Sequence, residues 1–199
     1  MQASGAKGRE SDPRFQRSLD ALLGAVTALV DAGPIQQISI TRIVAAAGVT
    51  RPTFYQHFPD VPTAAQRAAL ARLDGIFPET LPLPPETVVS AALLSARIEA
   101  HAMPVLEHLY AHRDFYVRVV DGAASAGFFD ELVGFVAAHL LPESLDLLAR
   151  SGTARRQDLI AVLAGGNMWM VVRWLRGGCI EAPVELARRM SGIVAALVQ

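Results

Sequence analysis

A single cysteine, Cys179, stands in a chain of 199 residues. That excludes any disulfide within the chain and any multi-cysteine zinc site, and it fits a reducing cytoplasm. An excess of one charge is missing as well: 18 Lys and Arg oppose 19 Asp and Glu for a net charge of −1, which rules out a protein that coats nucleic acid by bulk electrostatics. Long apolar runs are also lacking. The longest stretch, Leu159 to Trp174, is interrupted by Gly165, Gly166, Asn167 and Arg173 and falls short of the roughly 20 residues that span a bilayer. It reads as a buried helix, and no membrane partner is expected. The opening MQASGAKGRESDPRFQR has no apolar core of the kind a secretory signal needs, so export is not expected. Neither a nucleophile elbow, a P-loop, a dinucleotide fingerprint nor a pair of catalytic carboxylates is present, and the chain reads as a non-enzyme without cofactor.

What is present is 52% apolar residues with 19% charged, the composition of a folded chain with apolar surface to spare for a partner. Charge is unevenly placed. Up to residue 58, Lys7, Arg9, Arg14, Arg17, Arg42 and Arg51 outnumber Glu10, Asp12, Asp20 and Asp31, so this end is weakly basic and the remainder acidic. Residues 1–12 read as a flexible arm. From Phe15, the residues Leu19, Leu22, Leu23, Val26, Leu29 and Val30 keep to one helical face until Gly33-Pro34. Ser39 suits the N-cap of a short helix Ile40 to Ala47, with Ile43 and Val44 inward, and Gly48 stops it. Thr50 suits the N-cap of a third helix, in whose first turn Pro52 is tolerated because those amides have no intrahelical partner.

A fourth helix is expected at about Thr63 to Phe77, and the proline-rich ETLPLPPE then marks a hinge. Beyond Glu86 no strand-like alternation occurs, and 86–111, 113–122, 128–150, 154–176 and 183–198 all read as helices, with Pro104 and Pro142 expected to kink or break theirs. The expected fold is therefore all-α with about nine helices: residues 13–60 as a three-helix unit and residues 61–199 as a helical bundle.

Two short helices joined through Gly48, with Val49 plugging the angle between them, make a helix-turn-helix. The second helix of such a unit fits a major groove about 12 Å wide. Thr50, Arg51 and Thr53 lie at its exposed start, and the Arg51 guanidinium has the fork that reads guanine. Tyr55 and His57 are polar-tipped and suit phosphate, Phe54 and Phe58 suit anchoring, and Ser39 with the free amides behind it suits a phosphate. A helix-turn-helix corner inside an ordinary bundle has the same local pattern.

The run A-G-V-T-x-x-T-F-Y-x-H-F, Ala47 to Phe58, preceded by a helix such as Phe15 to Ala32, resembles the signature of TetR-family transcriptional regulators over about residues 14 to 62. The resemblance implies that Thr41, Arg51, Pro52 and Thr53 face bases and that Ser39, Tyr55 and His57 contact the DNA backbone. It further implies a cytoplasmic homodimer on a palindromic double-stranded operator, acting as a repressor released by a small-molecule effector. One departure is Val61, where family members commonly carry a lysine that meets a phosphate. It predicts weaker DNA binding, and it leaves open a TetR-like ligand- or partner-binding module with weakened DNA affinity. Arg67 or the arm residues Lys7 and Arg9 are candidates to compensate.

Beyond residue 61 the resemblance is one of architecture alone. Two apolar stripes suit a dimer interface or internal packing: Leu159, Val162, Leu163, Gly166 and Met170, and Leu186, Met190, Ile193, Val194 and Leu197. Gly165-Gly166 inside a helix costs stability relative to alanine, which close backbone approach would offset. Candidates for an effector pocket are Phe77, His101, Met103, His108, Tyr110, Phe115, Tyr116, Asn167, Trp169, Arg173 and Trp174. His108 and His112 have the i, i+4 spacing of a helical metal pair. No third ligand is evident, and the HLYAH run lacks the glutamate of a zinc hydrolase, so no metal is expected.

Overall fold

In a computed structural model, residues 12–79, 81, 83, 84, 86, 87, 89–151 and 155–197 are described. They form α-helices and one short 3-10 turn, with no strand among the described residues. The expected arm at residues 1–12 lies outside them except for Asp12, as do Thr80, Pro82 and Pro85 of the expected hinge.

Helix α1 is Pro13–Ala32. Asp12 caps it by accepting from the Arg14 N–H at 2.8 Å, and Pro13 needs no amide partner at the first position. Leu22, Val26 and Val30 on the expected face are fully buried. After Gly33-Pro34 and a 3-10 turn at Ile35–Gln37, α2 runs Ile40–Ala47 behind Ser39, whose hydroxyl accepts from the Arg42 N–H. Gly48 ends α2 in the left-handed region, φ 65 and ψ 29, where a side chain is strained. Helix α3 is Arg51–His57, capped by Thr50, and α4 is Val61–Asp74, with Asp60 accepting from the Thr63 N–H at 2.8 Å. Helix α4 thus starts two residues ahead of the expected Thr63, because Asp60 supplies the cap.

Helices α5 (Ala91–Ala111) and α6 (Arg113–Gly122) are separated by His112 alone, and the ten α-helices among the described residues agree with the all-α fold of about nine helices expected. The expected helix over 128–150 is two: α7 (Ala126–Ala138), capped by Ser125, and α8, which starts at Pro142 and runs to Ser151. Pro142 breaks the run as its missing N–H requires, whereas Pro104 is accommodated inside α5. Helices α9 (Arg156–Arg176) and α10 (Pro183–Leu197) complete the chain.

The described residues fall into two compact units. One comprises the chain up to Arg72 with Arg118–Ala124, and the other Leu73–Val117 with the chain from Ser125 on. In the first, Leu22, Val26, Val30, Ile43, Phe54 and Phe58 are the buried core. Arg118 donates to the carbonyls of Val30 and Asp31 at 2.8 and 2.7 Å, which satisfies the open end of α1. In the second, α10 packs along α5 and α9 packs on α7 and α8. Leu94, Leu145, Leu163 and Val194 form a buried cluster there. Helix α9 is long and apolar enough to cross a membrane by length and composition alone; Leu163, Ala164, Met168, Val172, Trp174 and Leu175 are buried in the protein, while Val162, Trp169 and Arg173 are exposed.

Candidate nucleic-acid interface

The helix-turn-helix is built from caps and two anchors. Ser39 and Thr50 start α2 and α3, Gly48 turns the chain between them, and the Val49 N–H returns to the Val44 carbonyl at 3.0 Å. Thr50 and Thr53 also join hydroxyl to hydroxyl at 2.9 Å, which stiffens the first turn of α3. Phe54 and Phe58 are buried with ring centroids 5.6 Å apart, and they seat the opposite side of α3 against the core.

The exposed side of α3 then carries Arg51, Pro52, Tyr55 and Gln56, with Thr50 exposed at its cap and Thr53 half-buried. Tyr55 is 54% exposed. Ser39 and Thr41 are exposed at the start of α2. Gln56 was not among the sequence candidates, and nor was Arg42, exposed beside Thr41 with its guanidinium held to the Gln37 carbonyl at 3.1 Å. Both were legible as polar residues next to chosen ones. Val61, where the lysine is replaced, is half-buried.

His57 is placed differently from Tyr55. It is half-buried, its Nε2 lies 2.8 Å from the Ser18 hydroxyl, and its ring packs on Phe15 with centroids 4.1 Å apart. Burial pushes its pKa below the usual histidine value. Phe15 and Ser18 were missed as functional candidates, since nothing local links them to a residue so far along the chain.

In the second unit the effector candidates divide into groups. Phe77 stacks on His139 with centroids 3.8 Å apart and lies 5.6 Å from both His101 and Phe135. His101 Nε2 is 2.9 Å from the His139 carbonyl. Burial lowers the His101 pKa, opposed by that hydrogen bond. Phe135 and His139 are the members of this group that the sequence did not signal. His108 Nε2 meets the Tyr116 hydroxyl at 2.9 Å and its ring lies 4.6 Å from His112, with Phe115 and Tyr116 buried. Tyr110 stacks on Trp174, whose indole N–H donates to the Glu181 carbonyl at 3.0 Å. Met103 and Asn167 are half-buried, while Trp169 and Arg173 are exposed. His101 has different neighbours from His108 and His112, and no metal-type cluster of three or more His, Cys, Asp or Glu occurs among the described residues. Cys179 is free and buried.

The two apolar stripes also divide. Leu163, Leu186, Met190 and Val194 are buried within the chain, Leu159 and Met170 are half-buried, and Val162, Gly166, Ile193 and Leu197 are exposed. A side chain added at Gly165 or Gly166 would meet nothing within 4 Å, so no close approach inside the chain accounts for this pair.

No family model matches the chain, and no curated protein matches it. A solved structure described as the dihydroxyacetone kinase operon activator DhaS is similar over 91% of this chain and 96% of its own, at 14% identity and a TM-score of 0.54. At that identity the likeness is one of fold: the chain shares that structure's all-helical architecture.

Proposed function

We propose that this protein is a TetR-family transcriptional regulator that binds DNA sequence-specifically through α3. The observation that carries the reading is the polarity of α3: Phe54 and Phe58 are buried, while Arg51, Pro52 and Tyr55 are exposed on a helix capped by Thr50. Arg51 reads a guanine, Thr41, Thr50, Pro52 and Thr53 contribute base contacts, and Ser39 and Tyr55 hold the phosphates.

The working form is a cytoplasmic homodimer joined through α9 and α10. Exposed Val162, Trp169, Ile193 and Leu197 support this, since exposed apolar side chains on two helices suit burial by a second copy. Two-fold symmetry places the recognition helices about 34 Å apart, on a palindromic operator. A small molecule bound in the second unit, among the aromatic and histidine groups around Phe77 and His101 or His108 and Tyr116, shifts the population away from the DNA-competent state and releases a repressor. The solved structure of similar fold is an activator by name, so the sign of control is read separately, from transcription with and without the protein.

The test is enrichment of duplexes from a randomised pool by the full chain, followed by a mobility shift. The proposal expects a palindromic sequence bound far more tightly than its scrambled control at low salt. Equal binding of both would overturn it.

A further inference from the structure

We infer that His57 is a positioning residue that ties the end of α3 to α1 through Ser18, and that it is not a phosphate ligand; the inference rests on the DNA-binding reading above.

Ser18 Oγ lies 2.9 Å from the Phe15 carbonyl and 2.8 Å from His57 Nε2. A hydroxyl has one proton, and a carbonyl can only accept. Both contacts are satisfied when Ser18 donates to Phe15 and His57 Nε2–H donates to Ser18. In the neutral ring Nδ1 is then a bare acceptor, and so is a phosphate oxygen, so no hydrogen bond can join them. Burial favours that neutral ring, and Phe15 packs on it.

The tie has leverage. His57 is the last residue of α3 and Arg51 the first, roughly 9 Å apart at 1.5 Å per residue. A small rotation released at His57 therefore swings the Arg51 fork sideways, and a bidentate contact to a base tolerates little displacement. Phe54 and Phe58 hold the depth of α3, whereas the His57–Ser18 bond, which spans 39 residues of sequence, holds its direction.

The experiment compares the full-length chain with Ser18→Ala, His57→Ala, His57→Gln and the double Ser18→Ala/His57→Ala, on the palindromic duplex enriched by the unaltered chain and over a range of salt. In parallel, amide exchange of α3 is followed without DNA. Ser18→Ala, although on α1, should weaken binding about three- to tenfold. The double variant should lose no more than His57→Ala, the salt slope should stay unchanged, and α3 amides should exchange faster in both single alanine variants. His57→Gln, which keeps a donor for Ser18, should retain most of the affinity and secures the test if His57→Ala fails to fold. Specific binding by the unaltered chain with Ser18→Ala unaffected, with losses that multiply, or with a salt slope reduced by about one in the His57 variants, would overturn this inference alone. No specific binding by the unaltered chain would overturn the DNA-binding reading with it.

Discussion

Phe54 and Phe58 lie one helical turn apart on α3, both buried, with ring centroids 5.6 Å apart. Because side chains at i and i+4 share a face, this pair seats α3 on the core, while Arg51 at the start of the helix and Tyr55 beside the pair stay exposed. Phe54→Ala should therefore do more than lower stability. It leaves a cavity worth about 3–5 kcal/mol under the segment that carries the polar face, a large share of a small unit's stability. Thermal unfolding with separate reporters in each unit checks this: the first unit should melt early. Coincident, unshifted melting would contradict the anchoring role.

Gly48 at φ 65 is the other local determinant. Nothing lies within 4 Å of a side chain added there, so Gly48→Ala carries backbone strain without a clash, about 1 kcal/mol. Denaturant unfolding should show a small loss of stability. A gain would mean that the turn between α2 and α3 is free to take another conformation.

His57 and His101 give a pH dependence of defined sign. Both are held below the ordinary value of 6.5, chiefly by burial. The unfolded chain therefore binds more protons than the folded one below that value. The stability these neutral rings contribute is present above pH 6.5 and is lost as pH falls through 6.5 toward their folded values. The melting temperature should drop on acidification over this window, and His101→Gln should flatten the drop. A melting temperature that rises on acidification would contradict the burial of these rings.

Trp169 and Leu197 are 53% and 55% exposed, on α9 and α10. If those faces meet a second copy, Trp169→Glu with Leu197→Glu should convert a dimer to a monomer in sedimentation, with the helical spectrum unchanged. The core residues Leu163 and Val194 should instead lose fold when cut to alanine, by about 2–4 kcal/mol each. A double glutamate variant that sediments like the unaltered chain would contradict the interface.

Local chemistry was the legible part. Ser39, Gly48, Thr50 and Pro52 announce α2, the turn and α3 within twenty residues, because caps and breakers act over one helical turn. The break before α8 was signalled by Pro142, although the segment was expected to start at residue 128. What could not be read was long-range. The partner of His57 is on α1, and Phe77 and His101 meet Phe135 of α7 and its C-cap His139 only through the fold. Periodicity identified the apolar stripes of α9 and α10 but not how they divide, because Leu163 and Val162 are neighbours in sequence and lie on opposite sides of the same helix surface, one buried and one exposed.

The most direct test of the central claim is the affinity of Arg51→Ala for the palindromic duplex selected by the unaltered chain, measured beside a scrambled duplex. A DNA-reading α3 requires a specific loss of about 1–3 kcal/mol per Arg51 contact, little change on the scrambled duplex, and relaxed preference at one base position of each half-site. An Arg51→Ala chain that binds both duplexes as the unaltered chain does would contradict it.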